Sequence, residues 1–147
     1  MYLSNFVYTL KELLIENDLK QSELSEKLGL GSSTISRYLL EKQTPDIEVA
    51  VKIADYFDCS VDYLLGFEDN YKDKTYHEYP PFSKQFLYLL DRFKISRYKL
   101  QKLTEISKST MYYWQKGKNK PTMDNVIKLA KALDCSIDFV LGRIDFD

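Results

Sequence analysis

Apolar side chains recur along the first 66 residues at helical spacing, in short runs separated by polar segments. Leu10, Leu13 and Leu14 form the first run, and Leu24 and Leu28 form the second. The later runs are Ile35 and Leu39, then Val49, Ile53 and Phe57, then Val61 with Leu64 or Leu65. The strict alternation of a half-buried strand is absent from the pattern. It therefore predicts five short helices, which need a shared core because each is marginal alone.

Residues with turn and capping preferences stand between these runs. Asn17 and Asp18 end the first predicted helix, and residues 29–31 separate the second from the third. Asp46 and Ser60 precede the fourth and fifth helices, where short oxygen-bearing side chains are favoured as N-caps. The punctuation therefore agrees with the hydrophobic periodicity.

The whole pattern occurs twice. Residues 6–66 align without a gap on residues 82–142, at the offset of 76 residues that separates Pro45 from Pro121. A repeat of this length makes each copy one structural unit. The predicted N-caps of the second copy are Ser96, Ser107, Thr122 and Ser136.

The repeat divides the chain into a first domain at residues 1–66, a linker at residues 67–81, and a second domain with a short C-terminal tail at residues 82–147. Units of about sixty residues lie near the lower limit for an independent core, so each should be compact. The linker is polar and is closed by Pro80 and Pro81. Its tyrosines can also pack onto a domain surface, so a flexible and a docked linker both stay open.

Residues 21–38 have the spacing of a helix-turn-helix motif, with a short helix, a glycine-bearing turn and a second helix. The glycine permits a tight reversal that sets the helices at a steep angle, with Leu24 and Ile35 between them. The polar face of the second helix can then enter the major groove, which shows a distinct pattern for each base pair. The segment therefore predicts double-stranded DNA as a partner.

These motifs, taken together and in register, resemble the phage-repressor, Cro-like (XRE) family. In the first copy the resemblance rests on Lys20–Gly29, Ser33–Arg37, Pro45 and Ser60–Gly66; in the second it rests on Tyr98–Leu100, Lys108–Pro121 and Ser136–Gly142. The resemblance implies an all-α fold of two tandem five-helix lambda-repressor-like DNA-binding domains. It covers all but the linker and the short termini.

The resemblance also implies a set of DNA contacts. The residue that opens the second helix, Gln21 or Arg97, is expected to clamp a phosphate. The expected base-facing residues are Ser32, Ser33, Ser36 and Arg37 in the first copy, and Lys108, Ser109, Tyr112 and Tyr113 in the second. Among them, Arg37 suits bidentate pairing with guanine, and the tyrosines suit thymine methyls or phosphates.

The loop after the recognition helix differs between the copies. The family usually places an acidic residue and then a glycine among basic residues there, and the second copy keeps Gly117. The first copy has Leu39 and Glu41 where the family has the acid and the glycine. The loop lysines expected to hold phosphates are Lys42 in the first copy, and Lys116, Lys118 and Lys120 in the second.

Charge is also divided unequally. Residues 1–66 carry six Lys and Arg against eleven Asp and Glu, a net −5, whereas residues 82–147 carry thirteen against seven, a net +6. Neutralising phosphates supplies most of the non-specific affinity for DNA. The second repeat is therefore predicted to dominate DNA binding.

Two functions follow from this division. The first is a sequence-specific transcriptional regulator, a repressor, that uses two non-identical helix-turn-helix units and can form a homodimer. The alternative is a protein-interaction module or antitoxin-like protein, in which the acidic first repeat mediates dimerisation or binds a partner. Apolar Tyr63, Leu64 and Phe67 near the end of the first repeat motivate the alternative.

No enzyme is indicated. The sequence lacks a glycine-rich phosphate loop, and its one histidine, His77, has no partner at metal-ligand spacing, so we expect a solvated linker histidine and no cofactor. Cys59 and Cys135 occupy the same repeat position and are predicted to be buried thiols. No apolar run is long enough to cross a membrane and no signal peptide is recognisable, so the chain is expected to be cytoplasmic.

Overall fold

The computed structural model describes residues 2–69 and 75–145, and the linker residues 70–74 lie outside the described part. Over these two ranges the chain forms ten α-helices and no strand, which confirms the all-α prediction. The described residues form two compact units, 2–69 and 75–145. The first unit contains α1 (Tyr2–Glu16), α2 (Gln21–Leu28), α3 (Thr34–Leu39), α4 (Ile47–Tyr56) and α5 (Val61–Leu64). The second contains α6 (Phe82–Arg92), α7 (Arg97–Thr104), α8 (Lys108–Gln115), α9 (Met123–Leu133) and α10 (Ile137–Leu141).

Side-chain caps start the helices where the sequence predicted them. Asp46 Oδ1 accepts a hydrogen bond from the Val49 N–H at 2.8 Å, and Ser60 Oγ accepts one from the Tyr63 N–H at 2.8 Å. In the second unit the same bond, to the N–H three residues further on, is made by Ser96, Ser107, Thr122 and Ser136. Each bond satisfies one backbone donor that the first turn of a helix leaves unpaired.

Left-handed backbone conformations repeat as faithfully as the caps do. Within the described ranges, every residue with positive φ in one unit has a counterpart with positive φ at the equivalent position in the other. The five pairs are Asp18 and Lys94, Gly29 and Glu105, Glu41 and Gly117, Asp58 and Asp134, and Gly66 and Gly142. The two units therefore turn at the same places, whether or not the residue there is glycine.

An aromatic anchor on the third helix holds each core. In the first unit Tyr38 is buried and its ring meets that of Phe6 edge-on, with centroids 5.7 Å apart. Burial, together with the charge of Asp46, raises the pKa of Tyr38 to about 12. Ile35, one turn earlier on α3, is fully buried, so it belongs to the core as its place in the apolar pattern predicted.

The second unit uses a larger anchor at the same position. Trp114 is buried, and the rings of Phe82 and Phe86 both approach it edge-on with centroids 5.3 Å away. Met111, one turn earlier, is fully buried too. Because Met111 and Trp114 face the core, the residues between them on α8 must face outwards. Core packing thus fixes which side of the recognition helix is exposed.

The end of the linker that the structure describes is docked on the second unit. The His77 N–H donates to the carbonyl of Arg143 at 3.0 Å, and the Arg143 guanidinium lies 4.4 Å from the ring centroid of Tyr76. Arg143 is itself fully buried and forms an ion pair with buried Asp138. Gly142 has φ of +85°, and a Cβ there would lie 2.7 Å from Pro80 Cδ. The docked alternative therefore applies to these linker residues.

Neither cysteine forms a disulfide; Cys59 is buried and Cys135 is half-buried. His77 is exposed, as predicted, although its backbone and ring both make hydrogen bonds. In the described part of the chain, no three His, Cys, Asp or Glu side chains converge as metal ligands. None of the helices in that part combines the length and hydropathy that a membrane crossing requires.

Candidate nucleic-acid interface

A cleft of about 530 Å³ opens between α7 and the recognition helix α8 of the second unit. Its lining consists of Ser96, Arg97, Tyr98, Lys108, Ser109, Tyr112 and Tyr113. Five of these were predicted DNA contacts, although they come from two helices that are separated in sequence. The structure therefore brings the predicted contacts of α7 and α8 into one concave surface.

The outward face of α8 carries the side chains suited to reading a duplex. Tyr112 is 47% exposed and Tyr113 is 41% exposed, and their rings meet edge-on with centroids 5.8 Å apart. Lys108 and Ser109 are exposed in the first turn, which Ser107 caps by accepting the Thr110 N–H at 3.1 Å. The ammonium group of Lys108 and the hydroxyl of Ser109 thus lie at the end of the helix whose dipole favours anions, and the two tyrosines follow one turn later.

Arg97 connects the two helices of the motif. Its Nη1 donates to the side-chain oxygen of Gln115, at the far end of α8, at 2.6 Å. A guanidinium carries five N–H donors, so this bond leaves others for a phosphate. Arg97 is exposed and opens α7, the position at which Gln21 opens α2 in the first unit.

Sequence reasoning missed Tyr98, which lines the cleft, and Lys102, which contacts Tyr98. The ammonium groups of Lys102 and Lys108 lie 5.3 Å and 5.1 Å from the ring centroid of Tyr98, on which both can stack. The spacing from Tyr98 to Lys102 is one helical turn, which is the signal that could have revealed the pair. Tyr98 thereby places two cations beside the cleft.

The loop after α8 keeps its lysines exposed but outside the cleft lining. Gly117 has φ of +71°, and its N–H donates to the Trp114 carbonyl at 3.0 Å, which closes the helix. The loop lysines Lys116, Lys118 and Lys120 are all exposed. Lys116 lies 5.5 Å from the Tyr112 ring centroid and contacts this cleft residue through a cation–π interaction.

The recognition helix of the first unit begins later than its counterpart. α3 begins at Thr34, whereas the equivalent of Lys108 would be Ser32. Gly31 stands where Ser107 caps α8, and the Ser33 side chain makes no capping bond. Ser32 and Ser33, predicted to open the helix, therefore lie exposed in the turn before it, because the glycine supplies no side-chain oxygen.

Three of the predicted contacts of the first unit line a second concave surface, of about 820 Å³, between α1, α2 and α3. The full lining comprises Lys11, Leu14, Ile15, Leu19, Lys20, Gln21, Ser22, Ser32, Ser36, Leu39 and Leu40. We call this surface the apolar groove. Ser33, Arg37 and Lys42 do not line it, and each is exposed.

The turn after α3 retains its shape although the glycine is missing. Glu41 has φ of +57°, and its N–H donates to the Tyr38 carbonyl at 2.9 Å, as Gly117 does to Trp114. The Lys42 N–H donates to the Arg37 carbonyl at 2.9 Å. The first repeat therefore keeps the backbone of this loop, with Lys42 in place of Lys118 but Leu40 and Thr44 in place of Lys116 and Lys120.

The apolar surface predicted near the end of the first repeat is only partly present. Leu64 is fully buried, so its assignment to a docking surface is wrong. It lies on the inward face of α5, which packs against α1 and α4. Tyr63 is half-buried and Phe67 is 46% exposed.

Family models match both units. Residues 10–64 match a helix-turn-helix model, and residues 87–145 match the model of the Cro/C1-type helix-turn-helix DNA-binding domain. Three relatives from Bacillus subtilis (strain 168) are similar. They are the uncharacterized HTH-type transcriptional regulator YobD, 34% identical over 42% of this chain and 54% of its own length; the HTH-type transcriptional regulator ImmR, 33% identical over 41% and 47%; and the uncharacterized HTH-type transcriptional regulator YqaE, 33% identical over 46% and 58%.

The chain thus spans about half the length of the curated relatives it matches. No solved structure matches it. The two family matches fall on the two compact units and bear out the resemblance on which the sequence analysis relied. The chain therefore carries two helix-turn-helix domains in tandem and belongs to the Cro/C1-type, XRE-family helix-turn-helix proteins.

Proposed function

We propose that this protein is a sequence-specific transcriptional regulator that binds double-stranded DNA, with its second unit making most of the phosphate contacts. The observation that carries the proposal is the cleft of the second unit, where Arg97 from α7 meets Lys108, Ser109, Tyr112 and Tyr113 from α8. Basic and hydroxyl groups converge there on the exposed face of a recognition helix.

Electrostatics supports the unequal division between the units. The second repeat carries a net charge of +6, and its loop lysines after α8 are exposed. Each Lys or Arg that neutralises a phosphate releases counterions and adds to affinity. The first repeat has a net charge of −5 and exposes Arg37 and Lys42. These two residues suit a smaller contribution to DNA affinity, which includes a contact between Arg37 and guanine.

The two recognition helices differ in sequence, so one chain should prefer an asymmetric site. α3 offers Arg37, whereas α8 offers Lys108, Tyr112 and Tyr113. A homodimer would present a palindrome of such sites, because operator symmetry mirrors protein symmetry. Repression is the mode we propose, since a bound pair of motifs can block a promoter without further contacts. The similar proteins from Bacillus subtilis are named as transcriptional regulators.

Selection of binding sites from random duplex DNA by the whole chain tests the proposal. We expect an enriched motif at moderate salt, and we expect the Lys108→Ala variant to bind it more weakly. Lys128→Ala, which removes an exposed lysine from α9 instead, is the matched control and should bind normally. Failure of the folded protein to enrich any motif would refute the proposal.

A further inference from the structure

We propose that the apolar groove of the first unit is a docking site for an amphipathic helix that carries acidic residues and belongs to a partner protein. The inference goes beyond DNA binding and concerns the unit that the charge distribution leaves poorest in phosphate contacts. It is independent of the function proposed for the second unit.

The groove exposes large apolar side chains. Ile15 is 79% exposed at the end of α1, and Leu40 is 62% exposed directly after α3. Leu19 and Leu39, both half-buried, add to the same lining. Scattered single apolar residues are normal on a surface, but a concave cluster of them marks a binding site.

The second unit carries polar side chains at the positions of three of these apolar residues. The residues equivalent to Ile15, Leu39 and Leu40 are Asp91, Gln115 and Lys116. All three are polar, and Gln115 holds the Arg97 guanidinium. Contact with phosphate oxygens does not stabilise the aliphatic side chains of Ile15, Leu39 and Leu40. Apolar side chains of a protein would stabilise them by burying them from water. The groove therefore lies beside the recognition helix α3, but its apolar lining suits contact with a protein better than contact with DNA.

Charge selects the kind of protein segment. The only charged residues that line the groove are Lys11 and Lys20, although the repeat as a whole is acidic. A partner with acidic residues beside its apolar ridge would pair with both lysines, and a basic partner would not. The walls are helices, and no strand edge exists in the described residues for an extended peptide to join. An amphipathic helix laid in the groove, anchored at i and i+4 positions, is the mode that fits an aliphatic groove between helices.

The second unit also supplies the variant for the test. Ile15→Asp combined with Leu40→Lys installs the residues that the second unit carries at the same positions of the same fold. The matched control is Tyr56→Ala, which removes an exposed aromatic ring outside the groove and installs the equivalent residue, Ala132. Circular dichroism and thermal melting establish that both variants are folded.

The probe is a displayed library of random peptides of about 16 residues, long enough to form a helix when bound, selected on the whole chain. We expect enriched peptides with a net negative charge and apolar residues at helical spacing. The groove variant should bind them at least about tenfold more weakly, and Lys11→Ala should weaken binding in a salt-dependent way. Tyr56→Ala should bind them as the unmodified chain does.

Four results would overturn the proposal. The first is that no peptide is enriched whose binding depends on the groove, and the second is that the enriched peptides lack acidic residues. The third is a dimer in sedimentation equilibrium that the groove variant abolishes. The fourth is that the groove variant binds duplex DNA more weakly than the unmodified chain. The third result would assign the groove to a second copy of the chain, and the fourth would assign it to DNA. None of the four bears on the cleft of the second unit.

Discussion

Single residues show how closely the two units share one backbone. Glu41 and Gly117 occupy the same repeat position with φ of +57° and +71°, and both donate their N–H to the aromatic anchor of the recognition helix. A left-handed conformation costs an L-residue roughly 1–2 kcal/mol, a cost that glycine avoids. The first unit tolerates the cost, so the turn is set by the fold rather than by its residue.

Replacing Gly117 with alanine should therefore destabilise the second unit. A Cβ at this position meets only Ser83 Oγ at 4.0 Å, so the loss is conformational and should be about 1 kcal/mol. Trp114, the one tryptophan of the chain, lies in this core, so urea unfolding followed by its fluorescence measures the change. At the equivalent position Glu41→Ala, which exchanges one left-handed L-residue for another, should change stability in the first unit only slightly. Equal losses at both positions would contradict this account.

His77 should titrate above the ordinary histidine value. Its Nδ1 faces the Glu78 carbonyl at 3.1 Å and its Nε2 faces Asp145 Oδ1 at 2.9 Å, so both nitrogens are placed to donate. The bond to the Glu78 carbonyl and then the bond to Asp145 raise the pKa of His77 above 6.5, against the smaller opposing effects of desolvation and Arg143.

Because the pKa of His77 is higher in the folded state, protonated His77 stabilises the docked linker. This stabilisation is fully present at pH values below the unfolded-state pKa, and it is lost as the pH rises through the folded-state pKa. Because both partners are exposed, the stabilisation should be small. The imidazole proton shifts of the only histidine report its titration directly in the nuclear magnetic resonance spectrum. Asp145→Asn should lower the midpoint, and a midpoint at or below 6.5 in the unmodified chain would show that the bonds do not form.

At the scale of elements, the recognition helices differ in how they begin. α8 starts at Lys108 under the Ser107 cap, whereas α3 starts at Thr34, two residues later in the repeat frame. Gly31 at the capping position offers no acceptor. The later start makes α3 shorter than α8 and leaves Ser32, one of the predicted base contacts, in the turn before the helix.

A cap can be moved between the units to test this reasoning. Ser107→Gly should lower the stability of the second unit by a few tenths of a kcal/mol, and Ser107→Ala by about 1 kcal/mol, both read from Trp114 fluorescence. Gly31→Ser should extend α3 and slow amide exchange in its first turn. A Cβ at Gly31 meets only Thr34 Oγ1, at 3.4 Å, so the serine fits. Unchanged exchange at Thr34 and Ile35 would show that the missing cap does not set the helix start.

The sequence was sufficient to predict the helices, but it predicted the exposed surfaces less well. Periodicity and capping preference identified the helices and the N-caps Asp46 and Ser60, because both signals are local. The late start of α3 follows from Gly31, which has no side chain to cap the helix. Gly31 was placed in the turn from the sequence, but this effect was not predicted. Leu64 was assigned to the surface although it is buried, since a four-residue helix is too short for periodicity to separate its faces.

The apolar groove was not predicted from the sequence, for a different reason. Ile15 directly follows Leu14 and Leu40 directly follows Leu39, and the pattern along the chain does not show that the two side chains share one surface. Their exposure appears only when three helices meet. Tyr98 likewise joins the cleft through the placement of α7 beside α8, where it meets Lys108.

At the scale of the whole molecule, one fold is used twice with different chemistry on its exposed side. Caps, left-handed turns and aromatic anchors recur in both units. The cleft of the second unit is lined by cations, hydroxyls and aromatic rings, and the groove of the first is floored by aliphatic side chains. The duplicated frame explains the shared stability determinants, and the changed residues explain the proposed division of labour.

The central claim is that the second unit makes most of the phosphate contacts. Lys42 and Lys118 occupy the same position of the repeat, and both are exposed, so alanine substitutions there form a matched pair. The measurement is the dependence of the binding constant on salt concentration, using the whole chain and the duplex that it selects. We predict that Lys118→Ala reduces the slope of log K against log salt concentration by about 0.9, and that Lys42→Ala changes it by less than half as much. Equal changes, or a larger change for Lys42→Ala, would contradict the account.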